Sequence, residues 1–142
     1  MTVRIERVVD VPAPPEAVWN FIADPASRAG AISVVEDFTV GADGAATWHL
    51  SLPIPLIDRT VAVETEETVR EAPERVEFVG RSRVMRVVGE HLLEATDGGT
   101  RLTNRFVVDG RIPGVERYFR KHMDEELQNL ENALARDLGV TL

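Results

Sequence analysis

Near the C-terminus Val115, Phe119, His122, Met123, Leu127, Leu130, Leu134 and Leu138 recur every three or four residues, the spacing of one face of an α-helix. Gly139 follows as a fitting C-cap. Such a helix, about 25 residues, is about 37 Å long at 1.5 Å per residue. Its apolar stripe is stable only under cover of similar length, so the rest of the chain must build one broad surface.

The preceding sequence reads as strands. Extended segments are predicted over 32–40, 45–52, 60–70, 75–82, 84–95 and 101–108. Turns fall at Gly41-Ala42-Asp43-Gly44, Glu71-Ala72-Pro73-Glu74 and Asp97-Gly98-Gly99. Links this short join antiparallel neighbours, since a parallel return needs a crossover of roughly a dozen residues. Val3, Ile5, Val9 and Val11 alternate with Arg4, Glu6 and Asp10, which adds a strand at the edge, although Arg7 and Val8 break the pattern. Pro15 then suits the start of a helix carrying Val18, Phe21 and Ile22 with Trp19 beside them, and Asp24-Pro25 starts a second short helix over 25–29, closed by Gly30.

Seven strands spaced by about 4.8 Å make a sheet about 30 Å wide, and twist curls a sheet of that width. The expected class is α+β: a seven-stranded curved antiparallel sheet around a long C-terminal helix, with residues 1–142 as a single domain. Where sheet and helix diverge, an apolar cavity is expected, and function is sought there.

Composition removes several alternatives. The chain has no Cys, which excludes disulfides, thiolate metal sites and a cysteine nucleophile. The three His show no metal-binding spacing, so no metal is expected, and no sequence feature calls for a cofactor. A phosphate loop, a dinucleotide fingerprint and a G-x-S-x-G elbow are all missing. A net charge of −8 repels nucleic-acid phosphate, so nucleic acid is not an expected partner. No run of roughly 18 apolar residues and no signal-like N-terminus occur, which reads as a cytoplasmic protein without an integral membrane span.

Three stretches carry a family resemblance. They are Val11-Pro12-Ala13-Pro14-Pro15-Glu16-Ala17-Val18-Trp19 with Asp24-Pro25, then Gly89-Glu90-His91-Leu92-Leu93-Glu94-Ala95 running into Gly98-Gly99-Thr100-Arg101-Leu102-Thr103, and the terminal helix. Together they resemble the helix-grip superfamily of START-like, Bet v 1-like and polyketide cyclase/dehydrase domains, and look most like its small prokaryotic members, such as the relatives of one subunit of carbon monoxide dehydrogenase. The resemblance implies a helix-grip fold whose members include lipid carriers, hormone receptors, ring cyclases and accessory subunits. Relatives often carry an aromatic after the Asp-Pro segment, whereas Arg28-Ala29-Gly30-Ala31-Ile32 stands here.

Alternation puts Met85, Val87, Gly89, His91 and Leu93 on one inward face, and Leu102, Asn104, Phe106 and Val108 on another. Trp48, Phe78, Met85, Phe106, Phe119 and Met123 are the candidate ligand-lining residues, with His91 and Asn104 to orient a polar group. An interior hydrogen-bonded pair is the plainer reading of those two. His122 sits on the helix stripe within reach of the expected cavity, and Glu67 with Thr65 is the inward exception on a strand whose Glu64 and Glu66 face solvent. His91, His122 and Glu67 are therefore the catalytic candidates for an acid–base enzyme.

Two surface features are open to a protein partner: the apolar connector Leu52-Pro53-Ile54-Pro55-Leu56-Ile57, read equally as a flap or docking edge or as a segment folded onto the long helix, and a basic patch of Arg81, Arg83 and Arg86, joined by Arg75 and Arg105, whose plainer reading is pairing with the acidic surface. The leading expectation is binding or carriage of a hydrophobic small molecule, such as a lipid, quinone or polyketide-like compound. The alternatives are a polyketide cyclase/dehydrase-type enzyme and an accessory protein docking on a larger complex.

Overall fold

The computed structural model describes residues 2–55, 57 and 60–142. Met1 and Leu56, which the expected domain and connector include, lie outside them. Strand β1 (Thr2–Val11) leads through helices α1 (Pro15–Ile22) and α2 (Pro25–Ala31) into β2 (Val35–Val40), β3 (Ala46–Leu50), β4 (Val61–Glu71), β5 (Arg75–Arg81), β6 (Met85–Thr96) and β7 (Gly99–Gly110). Helix α3 (Val115–Leu138) ends the fold. The seven strands form one antiparallel sheet in the order β1-β7-β6-β5-β4-β3-β2, so the meander closes with β1 beside β7.

The local signals explain most boundaries. Pro15 occupies the first turn of α1 with Glu16 beside it, and the Asp24 carboxylate accepts from Ala26 N and Ser27 Oγ to cap α2. Helix α3 runs 24 residues and stops where Gly139 takes a left-handed conformation, φ 66°. Expected ends shift elsewhere. Helix α2 passes through Gly30 and ends after Ala31, because the backbone N–H of Ile32 still bonds Ala29 O. Residues 32–34 are consequently not strand, yet Ile32 and Val34 are buried. Strand β7 begins at Gly99, earlier than expected, since only glycine lets the chain pass so close to β1: a Cβ there would lie 2.1 Å from Val11 O.

Alternation in β1 does not break. Arg7 faces inward like Val3 and Val9, and its guanidinium donates to Glu131 at 2.8 Å and to Asp124 at 3.0 Å on α3, while Val8 points to solvent. In register, Arg7, Asn104 and His91 form a row across β1, β7 and β6. This polar row separates two buried apolar clusters. One holds Trp48, Phe78, Phe106, Phe119 and Met123; the other holds Trp19, Ile22, Leu102, Leu130 and Leu134.

Among the described residues no helix is long and apolar enough to cross a membrane.

Candidate functional site

The site is assembled where the larger apolar cluster meets the polar row. Gly89 makes room for it. A Cβ at Gly89 would lie 2.3 Å from the Phe78 ring, so only glycine lets that ring lie over β6. Phe78 is the hub: its ring is 5.5 Å from Trp48, 6.2 Å from His91 and 5.9 Å from Phe106, centre to centre, and the Arg28 guanidinium stands 5.0 Å above it.

His91 and Asn104 are fully buried, with His91 Nδ1 2.7 Å from Asn104 Oδ1. The carbonyl oxygen can only accept, so Nδ1 carries the ring proton and Nε2 keeps a bare lone pair. Burial drives the His91 pKa down to about 4, with Arg28 adding a smaller push in the same direction against the Asn104 bond. At neutral pH this imidazole is uncharged.

Arg28, which in the sequence reads as part of a small-residue stretch, is the unexpected member. It is 3% exposed on α2, donates to Ile22 O at 3.2 Å and meets Glu67 Oε2 at 3.0 Å. Glu67 does face inward, as expected. It is also bound by Arg70 at 2.8 Å and covered by Gly44, where a Cβ would lie 2.4 Å from the carboxylate. Thr65 beside it donates to Ala46 O. Two arginines thus occupy Glu67 as ion-pair partner and leave it no role as a free base toward the interior.

Four buried side-chain nitrogens here have no hydrogen-bond partner among the described residues: Arg28 Nε, Trp48 Nε1, His91 Nε2 and Asn104 Nδ2. Arg28, Trp48 and His91 each lie against Phe78, and Asn104 is bonded to His91. Next to them Trp48, Met85, Phe106, Phe119 and Met123, together with Leu50 and Val87, line an apolar void. The void measures about 20 Å³. The roomy cavity expected between sheet and helix is therefore closed, because these side chains meet across the gap; the space left is about the size of one water, against the roughly 300–1,000 Å³ of ordinary ligand pockets.

His122 is not part of this interior. It is half-buried on the outer flank of α3, its ring 4.6 Å from that of Tyr118. With Ile54, Pro53, Pro55, Pro113, Gly114, Arg117, Tyr118 and Lys121 it lines an external groove of about 390 Å³. The connector contributes on both sides: Leu52 and Ile54 are buried in the core, while Pro53 and Pro55 are exposed. A larger cleft of about 550 Å³ opens beside Asp43, Glu67 and Arg70.

The basic patch is paired in part. Arg81 meets Glu66 at 2.9 Å, Arg75 meets Glu90 at 2.8 Å, and Arg105 bonds both Glu6 and Glu90; Arg86 lies opposite Arg81 in register and Arg83 is exposed. No cluster of three or more potential metal ligands occurs among the described residues.

Solved structures share this architecture at low identity. The Zhui aromatase/cyclase from Streptomyces sp. R1128 superposes with a TM-score of 0.72 at 16% identity, covering 99% of this chain and 100% of its own. A protein from Thermus thermophilus gives 0.70 at 22% identity over 96% and 99% of the two chains. A START superfamily protein from Mycobacterium smegmatis gives 0.70 at 13% over 92% and 93%. These likenesses establish the helix-grip fold. No curated protein matches the chain. The family model described as polyketide cyclase/dehydrase and lipid transport matches residues 2–135, nearly the full length, and the chain belongs to that family.

Proposed function

We propose that the protein binds one hydrophobic small molecule with an oxygen-bearing end, held between the sheet and α3. Its apolar part would lie among Trp48, Met85, Phe106, Phe119 and Met123. The observation that carries this reading is the set of four unpartnered interior nitrogens. Each such group costs about 1–3 kcal/mol when left dry and unpaired, so a site that keeps four together is built for a group that completes them. Arg28, Trp48 and Asn104 present N–H donors and His91 presents an acceptor. A carbonyl-type oxygen with a neighbouring hydroxyl satisfies both kinds, and lipids, quinone-derived phenols and polyketide-like compounds carry such ends.

Affinity would come from apolar burial, about 25 cal/mol per Å² before ordering costs. Entry would require Leu52 and Ile54 to leave the core, which makes the connector the flap. Acid–base catalysis is the weaker reading, because a pKa lowered to about 4 makes His91 a weak base and Glu67 is ion-paired. The family description, which names cyclase/dehydrase and lipid transport together, supports a small-molecule role of either kind.

Native mass spectrometry of freshly purified protein, followed by organic extraction, tests the reading. A single adduct of fixed mass is expected in the wild type, and its loss is expected in a folded Asn104→Leu variant. A clean apo mass, or an adduct indifferent to Asn104→Leu, would overturn it.

A further inference from the structure

The external groove beside α3 has a chemistry of its own. Its floor is apolar, made of Pro53, Ile54 and Tyr118, and its rim carries Arg117 and Lys121. Both cations are exposed, and neither forms an ion pair or hydrogen bond with any described residue. No carboxylate is among the described residues lining the groove. Arginines such as Arg7, Arg75, Arg81, Arg101 and Arg105 are paired with acids, whereas Arg83 and Arg86, like Arg117 and Lys121, have no ion pair among the described residues; what sets the groove apart is that its two cations border an apolar floor. Lys121 is also the chain's sole lysine.

Glu125 and Glu126 stand near enough to act on Tyr118, yet neither ion-pairs Arg117 or Lys121, and an apolar floor with this cationic rim complements a molecule that is apolar along its length and anionic at one end. We infer that the groove binds a free single-chain amphiphile with a carboxylate head, the head held by Arg117 and Lys121 and the chain laid on Ile54 and Tyr118. Its volume of about 390 Å³ suits a small-molecule ligand. The net charge of −8 opposes any anion, and it opposes a single carboxylate far less than the many charges of an anionic bilayer, which leaves the free amphiphile as the better match. Ile54 also belongs to the core cluster, and Phe119 and Met123, next in sequence to Tyr118 and His122, line the inner void. The groove therefore lies one side-chain layer outside the interior site, and its occupancy does not depend on ligand reaching that interior.

The test uses decanoate and uncharged 1-decanol as probes, read by ¹H–¹⁵N spectra of the full chain. Decanoate is expected to shift the amides of Gly114, Tyr118 and His122. Arg117→Glu/Lys121→Glu is expected to weaken decanoate by at least about fivefold, the effect of two lost exposed charge contacts plus repulsion, while 1-decanol changes by less than about twofold. Both substitutions are at exposed positions, and an unchanged thermal melt confirms the fold. Unchanged decanoate affinity, equal losses for both probes, or shifts confined to Trp48 and Phe106 would overturn the assignment. So would sedimentation of the wild type with phosphatidylglycerol vesicles, or decanoate-independent shifts with protein concentration, which would assign the groove to a membrane surface or to a second copy. Loss of the interior adduct in Asn104→Leu with the groove shifts intact would separate the two sites.

Discussion

Arg28 and Glu67 form an ion pair across the seam between α2 and β4, 3.0 Å apart, with side chains 4% and 5% exposed. The pair is asymmetric. Glu67 has a second cation in Arg70, half-exposed at 2.8 Å, whereas among the described residues Arg28 has Glu67 as its one salt-bridge partner, with Asp24 acting on it only at longer range. Removing the carboxylate strands a buried guanidinium; removing the guanidinium leaves the carboxylate still paired. Glu67→Leu is therefore expected to cost about 3–5 kcal/mol, Arg28→Met clearly less, and the double variant to recover most of the loss. Urea unfolding of the three variants decides it, and equal costs for both single substitutions would contradict the asymmetry.

The His91–Asn104 pair predicts a pH dependence. His91 ionises near 4 in the folded protein and near 6.5 when unfolded, so between these values the unfolded chain binds the extra proton. Its contribution to stability is complete above about 6.5, falls as pH drops through that window, and is gone below about 4. At 1.36 kcal/mol per pK unit the total is on the order of 3 kcal/mol. His91→Gln should flatten the stability profile over this window while lowering stability at pH 7. Imidazole ¹⁵N shifts supply the direct check: a resonance that titrates near 6.5 would refute the neutral, buried state.

The architecture is legible in the sequence because its signals are local. Short links dictate an antiparallel meander, the repeat from Val115 to Leu138 dictates a long helix, and strand alternation places His91 and Asn104 inward without any knowledge of the partner strand. What escapes depends on contacts between distant residues. Arg7 reads as a break in β1 because its partner, Glu131, is 124 positions away. Arg28 reads as part of a small-residue stretch on a short helix because nothing nearby announces Glu67 or Phe78. His122 shares the period of Met123, yet the boundary of a helical stripe is set by what lies against it, here the connector and Tyr118. The size of the inner void is equally out of reach: alternation says which side chains face one another, not whether they meet.

Arg7 offers a test of the polar row. Its pKa is raised by hydrogen bonds to Glu131 and Asp124, so the cation is favoured in the folded state. Glu131 is the buried partner, its side chain 8% exposed against 29% for Arg7. Arg7→Leu leaves that carboxylate unpaired on the sheet-facing side of α3 and is expected to cost about 1–3 kcal/mol, less than a fully buried pair because Arg7 retains solvent contact. Arg7→Leu/Glu131→Leu should regain most of it by joining the two apolar clusters. A double variant no more stable than Arg7→Leu would show that the row matters beyond this pair.

Gly89 and Phe78 give the most specific test of how the site is built. An added methyl at Gly89 would lie 2.3 Å from the Phe78 ring, too close for any rotamer adjustment that keeps the ring in place. Gly89→Ala must push Phe78 toward Trp48 and Arg28, and overpacking of this kind costs about 1–3 kcal/mol. In a Phe78→Leu background the ring is gone, so the same substitution should cost little, since alanine also reduces the freedom of the unfolded chain. The two sites must therefore be non-additive by about the cost of the clash. Thermal unfolding of the four proteins measures the coupling, and Trp48 fluorescence reports whether the indole's surroundings move with the ring. Equal costs of Gly89→Ala in both backgrounds would mean that the strand backbone, not Phe78, requires glycine there.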